Sequence, residues 1–153
     1  MTSTALCVAS VVFLFASAPA ADTPESLIKS LYARHQPGKD KNLDWCNKKA
    51  ISKYADARLT ALFIKDCECT RRTQEICNLG SDPFYDAQDF DGSDPNPRIR
   101  QVAANAYEVT FSNFGDQKLI YKLKKTSDGW RVSDIESPSN KTSLVKLLST
   151  KSD

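Results

Sequence analysis

Four cysteines, Cys46, Cys67, Cys69 and Cys77, crowd into one stretch of the chain. They constrain its fold more than any other feature. Residues two apart on a helix differ by about 200° around its axis. If Cys67-Glu68-Cys69 is helical, those two thiols face different ways and cannot bond to each other. Each then reaches Cys46 or Cys77, and both such pairings stay open. Zinc ligation would prefer cysteines separated by two residues, and the sole histidine, His35, lies far from the cluster in sequence. Two disulfides are therefore expected, and with them an oxidising compartment.

The N-terminus points to the same place. Residues 5–21 read ALCVASVVFLFASAPAA, an uncharged run followed by Asp22. That is too short to span a bilayer comfortably and fits the apolar part of a secretion signal, with Ala18-Pro19-Ala20 supplying small residues for cleavage. No Lys or Arg precedes the run, a departure from the usual pattern. The expectation is a signal peptide over 1–20 and one exported domain over 21–153. Cys7 falls in the removed part, and no stable membrane insertion is expected after removal. A periplasmic or secreted address follows.

Size and charge narrow the function classes. The chain has 153 residues, 26% charged and 41% apolar, with net charge +2. Such a chain can build one core and is not disordered. Its Lys and Arg are spread out, so no basic block advertises nucleic-acid binding, and none is expected. Oligomeric state and disulfide pairing are not encoded in any pattern.

Periodicity gives an α+β order. Thr23-Pro24-Glu25 is a helix start with N-cap, N1 proline and a first-turn acid, and Leu27, Ile28, Leu31 and Tyr32 form one stripe until Gln36-Pro37-Gly38 ends it. Helical character returns from about Cys46 to Asn78, with Asp56 capping a segment that starts at Ala57. After Asp94-Pro95-Asn96-Pro97 the chain alternates. Ile99 and Val102, then Tyr107, Val109 and Phe111, then Leu119, Tyr121 and Leu123, then Trp130, Val132 and Ile135 mark four strands. Asn113-Phe114-Gly115-Asp116 and Ser127-Asp128-Gly129 make turns between them. The expected fold is N-terminal helices packed on a curved four-stranded antiparallel meander, cone-like, with a short C-terminal helix at Leu144, Val145, Leu147 and Leu148.

Between helices and strands lies an acidic, aromatic connector. Asp86, Gln88, Asp89 and Asp91 are the candidate ligand- or partner-binding residues, with Asp94 adding charge. Asp89-Phe90-Asp91-Gly92 is only a fragment of a calcium loop, so no metal and no cofactor is expected. Asp82 before Pro83 suits a turn cap, and Phe84, Tyr85 and Phe90 suit the core. His35 ends the first helix, where a cation opposes the helix dipole favourably. No Ser or Cys nucleophile sits in a recognisable catalytic motif, and no catalytic residue is assigned. Trp130 is expected as a core anchor, and Asn140-Lys141-Thr142 fits a glycosylation acceptor.

Two segments carry a family resemblance. Asp82-Pro83-Phe84 through Ala87-Gln88-Asp89-Phe90-Asp91, and Gly129-Trp130-Arg131-Val132-Ser133-Asp134-Ile135, resemble the bacterial domain-of-unknown-function 3828 family over about residues 24–138. The resemblance implies an exported envelope protein with a cystatin-like, nuclear-transport-factor-two-like cone and no catalytic residues to carry over. Three functions are expected in descending order. The first is a non-enzymatic periplasmic protein that binds a protein partner or small ligand. Next comes an immunity or inhibitor protein against an envelope-acting toxin, and last a small cone-fold enzyme using a pocket His or Asp.

Overall fold

The computed structural model describes residues 23–39, 41–91 and 96–150. The expected signal segment 1–20, Gly92 and Asp94 lie outside the described residues. The described residues form an α+β fold with three α-helices, a meander and a closing α-helix.

Helix α1 spans Pro24–Arg34, and Thr23 caps it by accepting from the Ser26 N–H while Ser26 returns the bond in a capping box. Its buried stripe is Leu27, Ile28, Leu31 and Tyr32, the four residues at helical spacing in the sequence. A single turn, α2, covers Lys48–Ile51 behind an Asn47 cap. Helix α3 runs Ala57–Thr73 with Asp56 as its cap, its carboxylate taking the Leu59 N–H at 2.8 Å. The helical character expected from Cys46 onward is thus broken in the middle. Residues 54–56 leave the helix and bond to the sheet, Val132 N–H to the Tyr54 carbonyl at 2.7 Å and Asp56 N–H to the Val132 carbonyl at 2.9 Å.

The strands are β1 Arg98–Ala103, β2 Ala106–Ser112, β3 Asp116–Thr126, β4 Gly129–Ser137 and β5 Thr142–Ser143. They pair antiparallel in the order β1-β2-β3-β4-β5. The meander expected from alternation is present, but the sheet has five strands and not four. Strand β5 is two residues long, too short to show any period. Helix α4, Leu144–Leu148, follows at once and buries Leu144, Val145 and Leu148. Burying those side chains ties the C-terminal segment to the core.

Val109, Leu119, Tyr121, Leu123, Val132 and Ile135 supply the sheet's buried face, against which α1, α3 and the connector pack. Phe84 and Tyr85 are 2% and 1% exposed, so the connector aromatics enter the core as expected. Tyr85 is the hub, with Tyr32, Phe90 and Phe111 edge-on at ring-centre distances of 5.3, 5.0 and 5.2 Å. Edge-to-face rings align a positive rim with a negative face, adding about 1 kcal/mol per pair beyond burial. Trp130 is half-buried against this core.

Both disulfides form, Cys46–Cys67 and Cys69–Cys77. The first ties the segment before α2 to α3, and the second staples the end of α3 to the chain behind it. Each closed loop restricts the unfolded chain and contributes about 2–4 kcal/mol in the usual account. No helix of the described residues is long and apolar enough to cross a membrane.

Candidate functional site

A meander alternates its turns between two ends. The β2–β3 turn and the β4–β5 connection lie at one end, while the β1–β2 and β3–β4 turns lie at the other. With eleven residues in β3, the ends are roughly 30–35 Å apart at about 3.3 Å per residue.

The acidic connector is bonded to the first end. Asp82 opens it with two tasks: one carboxylate oxygen takes the Phe84 N–H at 2.9 Å, closing a turn, and the other meets His35 Nε2 at 2.5 Å. His35 Nδ1 accepts the Leu43 N–H at 3.0 Å. That nitrogen therefore carries no proton, so Nε2 bears it and donates to Asp82. His35 is 1% exposed, boxed by Trp45, Phe84 and Tyr85. The sequence suggested a cation set against the dipole at the end of α1. The structure instead makes this side chain a buried, neutral clasp between α1, the Leu43 loop and the connector. Beside it, Tyr121 donates to the Tyr32 hydroxyl at 3.0 Å, and Tyr32 donates to the Phe84 carbonyl at 2.7 Å. Burial raises both phenols well above their usual 10.0, so they act as neutral bracing groups.

Of the four candidate residues, three have side chains bonded within the fold. Asp86, in a left-handed conformation at φ 51°, accepts from the Ser137 hydroxyl and from Asn140 Nδ2, the latter at 2.7 Å. Gln88 donates to the Gly80 carbonyl at 3.3 Å. Asp91 takes the Phe114 N–H at 2.6 Å. Asp89 is exposed, and it is its carbonyl, not its carboxylate, that receives Asn113 Nδ2 at 3.0 Å. Asn113 is itself buried, its Oδ1 accepting the Asp91 N–H at 3.0 Å. The connector and the β2–β3 turn thus brace each other. At the tip Phe114 sits at φ 51° and 69% exposed.

The opposite end holds a groove of about 880 Å³ between α2, the start of α3 and the β3–β4 turn. Sequence reading did not find it, because its walls come from three separate segments. Ala55, Ala57, Thr60, Ala61 and Ile64 line it together with Lys48, Lys49, Lys53, Lys65 and Arg131, against the carboxylates of Asp56, Glu68 and Asp128. Arg131 is fixed in place, Nε on the Ser52 carbonyl at 3.0 Å and Nη1 on the Trp130 carbonyl at 2.8 Å. The crevice beside Asp86, lined by Leu79, Leu119, Ile135 and Leu147 among others, holds only about 30 Å³, room for about one water. Among the described residues no group of three or more His, Cys, Asp or Glu is placed to hold a metal ion.

No family model matches the chain, and no curated protein matches it. Among solved structures it is similar to a chain in the crystal structure of the type VI native effector-immunity complex Tae3-Tai3 from Ralstonia pickettii. The TM-score is 0.57 at 15% identity, over 76% of this chain and 96% of that chain. At that identity the likeness is one of fold.

Proposed function

We propose that this protein is an immunity-type inhibitor, an exported non-enzymatic chain that neutralises a toxin in its own compartment by binding and occluding it. One observation carries this: the fold is shared with almost the whole length of a chain found in an effector-immunity complex. The chemistry is compatible. Occlusion asks only for a complementary surface, and His35, the one imidazole, is enclosed by aromatic rings and bonded through both nitrogens. The two disulfides suit an oxidising space outside the cytoplasm, where a toxin acting on the envelope would be met.

The test is protection. A toxin encoded beside this gene is exported in a sensitive host, with and without this chain exported alongside. Growth restored by the wild-type chain is the expected result. Growth arrest regardless of its presence, together with no complex on a sizing column, rejects the proposal. The function ranked first on the sequence, a non-enzymatic envelope protein that binds a partner or small ligand, is favoured by the groove of about 880 Å³, and is what would remain if protection failed.

A further inference from the structure

We propose that the groove between α2, α3 and the β3–β4 turn is a docking site for an extended acidic segment of a protein partner. This deepens the inhibitor proposal by naming the chemistry of the contact, and it rests on that proposal only for the occupant being part of a protein.

Charge is the first support. The ammonium groups of Lys48, Lys49, Lys53 and Lys65 have no hydrogen bond or ion pair among the described residues. Lys29, Lys118 and Lys122 by contrast meet Glu25, Glu108 and Glu136. The groove carries five cationic side chains to three carboxylates, and one of the three, Asp56, is occupied as the cap of α3. A partner that brings carboxylates here gains charge pairs without breaking any. Arg131 strengthens the case, because two of its donors are already bonded to carbonyls. Its remaining N–H groups are pre-aimed, so less side-chain freedom is lost on binding.

Shape selects among anions. The cations do not converge on one point, as they would around a single phosphate. Lys48, Lys49 and Lys53 stand on and just behind α2, while Lys65 lies eight residues along α3 from Ala57, about 12 Å up the helix. Charges spaced along a trough fit a ligand whose own charges are spaced, such as a peptide carrying several Asp or Glu. Small side chains at Ala55, Ala57 and Ala61 let a backbone approach closely between them. Electrostatic contacts of this type speed encounter and weaken with salt.

The test is an NMR titration of the whole ¹⁵N-labelled protein with hexaglutamate, with hexalysine and inorganic phosphate as separate arms. Hexaglutamate is expected to shift the amides of Ser52, Lys53, Ala57, Ile64 and Asp128, and to bind at least about tenfold more weakly when salt rises from about 20 to 200 mM. Lys48→Glu with Lys53→Glu should abolish those shifts, and Lys48→Gln with Lys53→Gln should weaken them, with the rest of the spectrum unchanged in both. No shifts, shifts centred elsewhere, or equal shifts from phosphate or hexalysine overturn the proposal. A chain that protects cells but ignores hexaglutamate loses the groove and keeps the inhibitor role; one that binds it but never protects does the reverse.

Discussion

The two ends of the sheet use charge in opposite ways. At the connector end, Asp82, Asp86 and Asp91 all accept hydrogen bonds from within the fold. At the groove end, four lysines point to no partner among the described residues. An acidic cluster is conspicuous in a sequence, yet a carboxylate already bonded to a serine, an asparagine or a backbone N–H has little left to offer a ligand. Uncommitted charge next to a concavity is the better sign of a contact surface. The difference teaches that the partner chemistry here is read from which side chains lack an internal bond, not from where like charges cluster.

Breaking the connector end should cost stability and leave binding alone. Asp82→Ala removes the hydrogen-bond acceptor of His35 Nε2 in a site that is almost fully buried, together with the cap on the Phe84 N–H. A buried donor left unpaired costs about 1–3 kcal/mol, so with the lost turn bond about 3 kcal/mol is expected. Asp86→Ala strips the Asn140 amide of its partner, while the Ser137 hydroxyl retains Ser139 at 3.2 Å; about 1–2 kcal/mol is expected. Denaturant midpoints measure both, and each variant should still bind hexaglutamate as the wild type does. Loss of that binding in a folded variant would erase the distinction between the ends.

The smallest effect sharpens the comparison. Phe114 holds φ 51° on an exposed turn, a left-handed conformation that costs a non-glycine residue about 1–2 kcal/mol. Glycine adopts it freely but loses more chain entropy on folding, about 0.5–1 kcal/mol. Phe114→Gly should therefore stabilise the protein by about 0.5 kcal/mol, read as a small rise in melting temperature. A marked loss of stability would mean that the ring packs against the body after all.

Local signals explain what could be read from sequence. Thr23 and Asp56 are caps with short-range geometry, the meander repeats with period two, and Phe84-Tyr85 is an apolar pair in an otherwise polar stretch that must be buried somewhere. Each of these is set within a few residues. The missed features are set by distance in space. His35 and Asp82 are 47 positions apart, and nothing local at His35 distinguishes a helix-end cation from a buried clasp. The choice of Cys46–Cys67 over Cys46–Cys69 depends on which face of α3 turns toward the segment before α2. The fifth strand is too short to have a period, and the helix is interrupted at 54–56 where the chain bonds to Val132. The groove is an extreme case, assembled from α2, α3 and a turn far along the chain. Of the two segments that carried the family resemblance, Asp82-Pro83-Phe84 through Ala87-Gln88-Asp89-Phe90-Asp91 supplies a turn and core rings here, and residues 129–135 are most of β4.

Hydrogen exchange on a complex with the proposed toxin partner tests the account most directly. Slowed exchange over residues 48–65 and 126–131, with residues 82–91 and 113–116 unchanged, is the predicted footprint. Protection confined to the connector and the Phe114 turn would contradict it.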